Sequence, residues 1–412
     1  MNYELFIAKR ITATKVHKSS VSKPIIKIAI TAVALGLVMM LVSLAITKGM
    51  QERIREKVSA FSGHVIITAF DANNSEITLK PISKNQDFYP NFDKNKVSNV
   101  RNVQIFATKA GIIRTAKDFE GVIFKGVGAD YDWTLFKSYL VKGRLPNLNE
   151  AKKSKEMLIS ETIANRLGLR VGDRFNTFFF DEKGNSKARN FTTVGIYKTA
   201  FDDFDKAYII GDIRQVQRLN KWNENEVGGF EVLLKDFKDI DHSGEAIYGE
   251  TFATLNAKTI KEKYADIFEW LALFDTNVIM IIIIMIFVSA INMITALLVL
   301  ILERTQMIGM LKALGAKDWS IRKIFLYNAA YIIAKGMLWG NFIALSLIGL
   351  QYYFKILKLD PATYYVAYVP VSISISTIFL LNIGVLALCI LILIIPSIVI
   401  AKISPVKAIK FE

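Results

Sequence analysis

The chain has 412 residues, of which 52% are hydrophobic and 22% are charged, and its formal net charge is +15. Soluble domains usually contain more charge and fewer apolar residues, so the composition argues against a chain that is soluble throughout. The one cysteine, Cys389, excludes an intrachain disulfide and any site that needs several cysteines. The three histidines, at positions 17, 64 and 242, are too scattered to suggest a metal site or histidine-based catalysis. The composition therefore disfavours an ordinary hydrolase.

Four apolar stretches are long enough to cross a bilayer, which takes about 20 residues in a helix. They predict spans at residues 25–46, 277–302, 325–350 and 373–400. Lys27 is the one charge in the first span, whereas Lys335 and Asn341 interrupt the third. The first span is too long, and too far along the chain, for a cleaved signal peptide, so we expect it to remain as an anchor. Buried helices of soluble proteins rarely reach these lengths.

The distribution of charge predicts how these spans are oriented. The net charge is +5 over residues 1–27, +3 over residues 303–325 and +2 over residues 402–412, so most of the excess lies in three short segments on one side. The positive-inside rule makes that side cytoplasmic. The sequence thus predicts a cytoplasmic amphipathic segment, a large outer domain, a cytoplasmic coupling segment, an outer loop and a cytoplasmic tail, at residues 1–24, 47–276, 303–324, 351–372 and 401–412. Because topology explains the basic charge, nucleic-acid binding loses its support.

The pattern of the outer domain is typical of an α+β fold. Short runs rich in β-branched and aromatic residues predict strands at 64–68, 122–125, 156–159, 175–180, 190–197, 207–210 and 230–234. Ser160 as a capping residue and Gly168 as a terminator predict a helix between them, and a second helix is expected at 212–219. Residues 70–100 predict a long loop or an inserted lobe. The predicted fold class is a polytopic α-helical membrane protein with four spans and a large α+β domain between the first two.

Apolar periodicity continues beyond the outer ends of the first two spans. Residues 47–61 carry apolar side chains at helical spacing, and so do residues 259–274 before the second span. We expect both spans to extend as a pair of stalk helices that could transmit movement to the outer domain. A plain linker at each end is the alternative.

The chain carries no recognisable catalytic or nucleotide-binding motif. The glycine-rich stretch at 121–128 lacks the Lys-Ser/Thr ending of a phosphate-binding loop, and it predicts a strand and turn. No zinc-protease, nucleophile-elbow or calcium-loop pattern occurs. The acidic run at 202–205 is interpreted as a solvated turn rather than a catalytic pair. We therefore predict no catalytic residues, no metal site and no cofactor bound by this chain.

The most informative cytoplasmic segment is residues 302–316. Gly315 ends a short predicted helix in which four apolar side chains share one face: Met307, Met310, Leu311 and Leu314. Such a helix could seat its apolar face in a groove of a partner protein, for which methionine is well suited because its side chain adapts to irregular surfaces. It could equally lie on the membrane surface. The residues alone leave both alternatives open.

Residues 302–316, followed by residues 319–325, resemble the "IGxLKALGA…IRxIF" segment of FtsX/MacB-like ABC-transporter permeases. Further segments resemble, in the same order, the lipoprotein-releasing (Lol-type) permeases of that superfamily. They lie at 6–10, 49–67, 159–197 and 403–410. The resemblance covers nearly the whole chain, and it includes the arrangement of one span, a large domain and three further spans.

The resemblance implies a permease subunit of the bacterial inner membrane that has no ATPase of its own. In that family two permease chains, identical or paralogous, assemble with two copies of a separate ATPase subunit, which binds ATP and magnesium. Lipoproteins enter from the outer leaflet between the first and second spans of the two protomers. ATP binding closes the stalks and passes the lipoprotein to a periplasmic carrier. The implied partners are therefore the ATPase, a second permease chain, the carrier, lipoproteins and membrane lipid.

The resemblance also implies roles for particular residues. The coupling helix that would contact the ATPase comprises Met307, Ile308, Gly309, Met310, Leu311, Lys312, Leu314 and Gly315. The acyl chains of the lipoprotein would contact Met39, Met40, Leu44, Met50, Phe274, Ile279 and Ile283, each of which could instead face lipid. The hairpin at 178–189 would contact the carrier through Lys183, Lys187 and Arg189.

The sequence departs from the family pattern in two places. Met307 stands where many relatives have an acid, which puts in question a coupling contact made by that acid. The hairpin at 178–189 is short, and residues 181–185 form its turn. Lys335 also needs an explanation, because a charge within a span is costly and should face a cavity, face a partner or reach the membrane surface.

Three alternative functions follow from the same scaffold. An FtsX-like mechanotransmission permease would control a periplasmic cell-wall hydrolase without moving a substrate, although an outer domain of about 220 residues is large for that role. A MacB-like exporter of peptides or drugs would carry a fused ATPase, which is absent here. A membrane-anchored periplasmic enzyme would need catalytic residues that the sequence lacks.

Overall fold

The computed structural model describes residues 3–13, 22–72, 75–116, 118–149, 153–181 and 184–403. The chain divides into two compact units. The membrane unit contains residues 1–51, 271–357 and 369–412, and the inserted domain contains residues 52–270 together with the segment 358–368.

Twelve α-helices and twelve β-strands occur in the described part of the chain. The helices are α1 Tyr3–Ala13, α2 Ser22–Ser62, α3 Glu161–Leu167, α4 Asp202–Ala207, α5 Ile213–Asn220, α6 Ile240–Gly249, α7 Ile260–Lys263, α8 Ala265–Glu303, α9 Thr305–Ala313, α10 Asp318–Phe354, α11 Pro361–Tyr364 and α12 Ile375–Ile394. The strands are β1 Val65–Ala69, β2 Ile82–Ser83, β3 Val100–Arg114, β4 Phe119–Val127, β5 Leu140–Gly143, β6 Glu156–Ser160, β7 Arg174–Phe180, β8 Ser186–Tyr197, β9 Tyr208–Asp212, β10 Glu226–Val227, β11 Gly229–Leu234 and β12 Leu255–Thr259.

Four helical segments in the described residues are long and apolar enough to cross a membrane: Pro24–Ser62, Ala265–Glu303, Asp318–Phe354 and Ile375–Ala401. Helix α2 has 41 residues. At 1.5 Å per residue it is about 60 Å long, roughly twice the thickness of the hydrocarbon core. This continuity confirms the first predicted stalk helix. The second is broken once, at Tyr264 between α7 and α8.

Small residues allow close approach of the helices in the membrane unit. A Cβ atom on Gly336 or Gly340 of α10 would lie 2.9 Å from a backbone oxygen of α2, that of Ile30 or Ala34. On the other side of α2, a Cβ atom on Gly36 would lie 2.8 Å from the hydroxyl oxygen of Ser289 in α8. Such spacing is typical of membrane helices, which gain little from the hydrophobic effect and associate through close packing.

The polar residues of the third span have separate explanations. Asn341 of α10 and Asn382 of α12 exchange two side-chain hydrogen bonds of 2.8 and 3.0 Å, and each amide also donates to a carbonyl in its own helix. Lys335 lies on the exposed face of α10, where its ammonium is 5.0 Å from the centroid of the Tyr331 ring. A cation–π contact with an exposed ring thus accounts for this lysine.

A mixed sheet forms the centre of the inserted domain. Its strand order is β12-β1-β11-β3-β4-β9-β6-β8-β5, with β7 paired to β3 and β8. The pairs β4–β9 and β6–β8 are parallel, and the other pairs in this sheet are antiparallel. Together with the helices this confirms the predicted α+β fold. All seven predicted strands are present. Five strands of the described residues have no predicted counterpart: β2, β5, β10, β12 and the longest strand, β3, which has 15 residues and pairs with β4, β7 and β11.

Both predicted helices of the inserted domain are present: α3 begins and ends at the residues that the sequence indicates, and α5 lies one residue later than predicted at each end. The Ser160 hydroxyl accepts a hydrogen bond of 3.0 Å from the Ile163 amide at the start of α3, and Gly168 ends that helix with φ +67°. Asp212 caps α5 by accepting from the Arg214 amide at 2.9 Å. The prediction of a solvated acidic turn at 202–205 is wrong for Asp205, whose exposure is 3%.

Candidate functional site

The predicted coupling helix is present as α9. It begins at Thr305 after the second span and ends at Ala313, and Gly315 follows with φ +90°. This left-handed conformation favours glycine, so Gly315 turns the chain toward α10 for the reason that the sequence indicates.

The apolar stripe of α9 is divided between a buried and an exposed side. Met307 and Leu311 pack against the core of the membrane unit, and Ile308 and Gly309 are buried. By contrast, Met310 is 55% exposed and Leu314 is 85% exposed. The apolar stripe spans about 100° of the helix circumference, and one edge of the stripe is buried while the other is at the protein surface. The sequence predicted one continuous apolar face for binding a partner. In the structure only half of that face, Met310 and Leu314, is exposed, and the other half holds the helix against the membrane unit.

Lys312 points into the membrane unit. Its ammonium donates to the carbonyl oxygens of Ala401, at 3.2 Å, and Ile403, at 2.9 Å, and lies 2.9 Å from a carboxylate oxygen of Asp318. Its side chain is 10% exposed. The two carbonyls belong to the end of the 3-10 segment that follows α12, so the lysine caps that segment and joins it to the start of α10. Lys312 is thus placed to support the coupling segment rather than to contact a partner.

Two further large apolar side chains are exposed in the elements that precede and follow α9 in the chain. Leu302 is 66% exposed and Trp319 is 51% exposed. Helix α1 lies against α10, where Ser320 donates a hydrogen bond of 2.9 Å to the Glu4 carboxylate. The motif at 403–410 lies outside the described residues except for Ile403.

The first two spans run antiparallel within the membrane unit. Gly36 meets Ser289 at one level, and the Gln51 amide donates to the Leu271 carbonyl, 3.4 Å away, at another. Interpolation between these contacts puts Met39 of α2 about level with Met285 of α8, within one helical turn of Ile283.

The seven residues predicted to contact acyl chains fall into three groups. Met39, Ile279 and Ile283 are exposed by 48%, 57% and 49%. Leu44 and Phe274 are half-buried. Met40 and Met50 have exposures of 0% and 3%, and Met40 lies in the packed core between the helices. The structure therefore removes Met40 and Met50 from the surface that a ligand in the membrane could reach.

The outer end of α2 is held inside the inserted domain by polar contacts. The Ala60 carbonyl accepts from the Tyr131 hydroxyl at 3.2 Å, and the Phe61 carbonyl accepts from the Lys125 ammonium. The last carbonyl groups of a helix have no partner within the helix, and they carry the negative end of its dipole. The Lys125 ammonium therefore gives the Phe61 carbonyl a hydrogen-bond donor and also interacts favourably with the dipole. The Ser62 hydroxyl is 2.8 Å from that of Tyr264, which joins the ends of the two stalk helices.

Lys125 is fully enclosed, and so is its partner. Lys125 and Glu231 form an ion pair in which both side chains are 3% exposed, and Gln104 donates to the same carboxylate at 2.9 Å. The lysine ammonium also lies 5.3 to 5.7 Å from the ring centroids of Phe61, Phe106 and Tyr131. Burial lowers the pKa of Lys125, and the Glu231 carboxylate opposes that change. The sequence signal for Lys125 is a lysine within the apolar run of a predicted strand, and no functional role is predicted for it from the sequence.

The hairpin predicted to contact a carrier is formed by β7 and β8, with Phe180 opposite Ser186. The Lys187 ammonium donates to the Leu219 carbonyl at 3.3 Å, at the end of α5, so its charge has an internal use. Arg189 is half-buried and donates to the Ala188 carbonyl at 3.2 Å. Lys183 lies outside the described residues.

The described residues contain no group of three or more His, Cys, Asp or Glu side chains that could hold a metal ion.

Comparisons with known proteins match both units. Residues 28–247 match the model of the MacB-like periplasmic core domain, and residues 279–405 match that of the FtsX-like permease C-terminal region. LolC, a lipoprotein-releasing system transmembrane protein of Buchnera aphidicola, is 22% identical over 90% of this chain and 89% of its own length. LolE of Haemophilus influenzae, which bears the same description, is 20% identical over 99% of each chain. The periplasmic region of MacB from Actinobacillus actinomycetemcomitans aligns with a TM-score of 0.34 at 12% identity, over 53% of this chain and 97% of that one. The chain therefore belongs to the family of permeases that carry a MacB-like periplasmic core domain, here joined to an FtsX-like C-terminal region.

Proposed function

We propose that this chain is the permease subunit of an ABC transporter that extracts lipoproteins from the outer leaflet of the inner membrane and passes them to a periplasmic carrier. The observation that carries the proposal is the similarity over nearly the full length to LolC and LolE, whose names describe lipoprotein release. In this proposal a separate subunit binds and hydrolyses ATP with magnesium, because the chain has no phosphate-binding motif of its own.

The charge distribution supports the orientation that this function needs. With the three basic segments in the cytoplasm, the N- and C-termini and α9 lie on the ATPase side of the inner membrane. The inserted domain then lies in the periplasm, where the carrier is. The limits of the spans within the long helices remain predictions.

The exposed half of α9 is the surface proposed to contact the ATPase. Met310 and Leu314 would enter an apolar groove of that subunit. The buried residues of α9 hold the helix against the membrane unit: Met307, Ile308, Gly309 and Leu311. A methionine at this position tolerates an irregular groove. Gly315 supports the geometry by allowing the sharp turn that follows.

The exposed stripes of the first two spans are the surface proposed for the acyl chains. Met39 and Ile283 lie within about one helical turn of each other along the axis, and Ile279 lies one turn further out on α8. A second permease chain, identical or paralogous, would present its own pair of stripes, so that acyl chains entering from the lipid would meet apolar surface from both protomers. Plain contact with membrane lipid is the competing interpretation for each residue.

Site-specific photocrosslinking in cells tests the proposal. Crosslinkers at Met39 and Ile283 are compared with one at Phe379 of α12, which is 66% exposed and, like them, lies six or seven residues from the predicted outer end of its span. We expect lipoprotein adducts at Met39 and Ile283 that increase when the ATPase subunit is depleted, and few at Phe379.

Two results would contradict the proposal. Equal adducts at all three positions would mean that lipoproteins meet the protein only as components of the bilayer. An absence of adducts, together with recovery of a cell-wall hydrolase on the inserted domain, would favour the FtsX-like mechanotransmission permease.

A further inference from the structure

The segment 358–368 connects α10 to α12, yet it packs with the inserted domain. Backbone hydrogen bonds join the two ends of the segment to each other. Lys358 forms an antiparallel bridge with Tyr368, the Leu359 amide donates to the Ala367 carbonyl at 3.1 Å, and the short helix α11 lies between them. The segment is therefore a compact unit attached by covalent bonds to the third and fourth spans.

A buried lysine of α2 binds this segment. The Lys57 ammonium donates to the carbonyl oxygens of Tyr365, at 2.9 Å, and Ala200, at 3.2 Å, and the residue is 8% exposed. Tyr365 has φ +58° and Ala200 has φ +54°, a left-handed conformation that is rare for residues other than glycine. Two residues in this conformation thus present their carbonyls to one ammonium. Backbone strain of this kind persists only where surrounding contacts enforce it, and it is concentrated at functional sites.

The carboxylate of Asp205 organises the turn that contains Ala200. It accepts from the Thr199 amide and hydroxyl, at 3.1 and 2.7 Å, and from the Ala200 amide at 2.9 Å. Its negative charge also favours the charged form of Lys57, whose pKa burial lowers to about 8. The Asp205 carboxylate therefore offsets part of the cost of burying the lysine charge.

A row of stacked rings makes a second connection from the segment to α2. The Tyr365 ring stacks on Phe201 with centroids 4.7 Å apart, Phe201 stacks on Phe204 at 4.5 Å, and Phe204 stacks on Phe61 at 4.4 Å. The Trp270 ring makes an edge contact with that of Tyr365, with centroids 5.9 Å apart and an interplanar angle of 75°. Lys57 and Phe61 are one helical turn apart on α2. The segment therefore has two connections to the same part of the helix, the hydrogen bond from Lys57 and the row of rings that ends at Phe61.

From these contacts we propose that Lys57 and Tyr365 form a coupling clamp that ties the connection between the third and fourth spans to the stalk helix α2. They are positioning residues and contact no substrate. When α2 moves during the transport cycle, the clamp carries the segment 358–368 with it, and the covalent connections carry the movement to α10 and α12. This inference rests on the proposed function, because it assigns a role within that transport cycle.

The test uses the permease assembled with its ATPase subunit and compares four variants with the wild type. Lys57→Met removes the donor but keeps most of the side-chain volume. Tyr365→Ala removes the ring, whereas Tyr365→Phe keeps it and serves as the matched control. Tyr365→Gly adopts the left-handed conformation without strain but has no ring, so it separates the two contributions.

The first measurement is hydrogen exchange in the nucleotide-free and ATP-bound complexes. In the wild type we expect nucleotide to change exchange both at residues 52–62 of the stalk and at 358–368. In Lys57→Met, Tyr365→Ala and Tyr365→Gly, the change at 358–368 should fall at least fivefold while that at 52–62 remains, and Tyr365→Phe should match the wild type. Equal transmission in all variants overturns the proposal, and so does a wild type that shows no change at 358–368.

The second measurement separates this inference from the function on which it rests. Lipoprotein released to the carrier per ATP hydrolysed should fall at least fivefold in the clamp variants. If the wild-type complex releases no lipoprotein but its exchange is coupled as described, the proposed function fails and the clamp stands. Protection of β4 confirms folding of each variant, and Tyr365→Leu replaces Tyr365→Ala if that protection is lost. A Tyr365→Leu chain that still couples movement to the segment overturns the role of the ring.

Discussion

The two parts of helix α2 are held by different chemistry. In the membrane unit its neighbours approach through small residues, with Gly36 against Ser289 and Gly336 against the Ile30 carbonyl. In the inserted domain the same helix ends in large aromatic side chains and a buried ion pair, with Phe61 stacked on Phe204 and its carbonyl bound by Lys125. One continuous helix therefore uses two kinds of contact along its length.

The difference follows from the solvent around each part. Lipid tails are as apolar as leucine, so burying a large apolar side chain between membrane helices gains little, and close backbone approach provides most of the attraction. In water, burial of a large ring is strongly favourable, and it can outweigh the cost of enclosing a charged pair. Substitutions in the two regions should therefore act through different mechanisms and by different amounts.

The largest effect is expected for Lys125→Met. It leaves the Glu231 carboxylate buried without its cation, a loss of about 3–5 kcal/mol in the free energy of unfolding of the inserted domain. Hydrogen exchange of β4 and β11 in the full-length protein in detergent measures it. The control is the double variant Lys125→Met/Glu231→Gln, which removes both charges and should recover most of the loss. If the single and double variants are equally unstable, the pair acts by packing alone.

Mild acid should also distinguish the two regions. The His64 Nδ1 atom accepts from the Leu234 amide at 2.9 Å, and burial lowers the pKa of His64 from its ordinary 6.5 to about 4. Because the unfolded chain takes up the proton first, stability is fully present above pH 6.5 and falls as the pH drops toward 4, by up to about 3 kcal/mol.

Exchange of β1 and β11 measured between pH 7 and pH 4 tests this expectation, after correction for the intrinsic effect of pH on exchange. His64→Gln should flatten the dependence, and the Asn341–Asn382 pair of the membrane unit should be insensitive because amides do not titrate in this range. The same slope in wild type and variant would show that another group is responsible.

In the membrane unit, Gly49→Ala should cost about 1–3 kcal/mol in thermal unfolding experiments in detergent. A Cβ atom at Gly49 would lie 2.4 Å from the carbonyl oxygen of Pro370, so backbone must move. Gly349→Ala is the matched control, because no atom lies within 4 Å of its Cβ position. We expect that control to be neutral or slightly stabilising. A Gly49 variant as stable as the control would show that this close contact is dispensable.

The smallest change in stability is expected on the exposed half of α9. Leu314→Asp should alter the free energy of unfolding by no more than about 0.5 kcal/mol, because Leu314 is 85% exposed, yet it should weaken binding of the ATPase subunit at least tenfold. Leu311 lies three residues away and packs against the core, so Leu311→Asp should destabilise the membrane unit. Co-purification and thermal unfolding of both variants measure the contrast, and normal binding by Leu314→Asp would exclude this surface.

Sequence predicted the spans and most strands because both leave local signals, namely long apolar runs and short β-rich runs. It missed β3, whose polar residues near Arg101 and Lys109 resemble loop sequence, and which is stabilised by pairing with strands distant in the chain. It also could not separate Met39 from Met40. Both sides of a membrane helix are apolar, so only the packing of its neighbours decides which side is buried.

The cap that Lys312 provides also sets an order for biosynthesis. Its acceptor Ala401 is synthesised 89 residues later, at the end of the last span. Until that span has left the ribosome and entered the bilayer, the ammonium lacks two of its acceptors and the loop that carries α9 lacks its final support. If α9 binds an ATPase subunit as proposed, a nascent or truncated chain should therefore recruit that subunit poorly until insertion is complete.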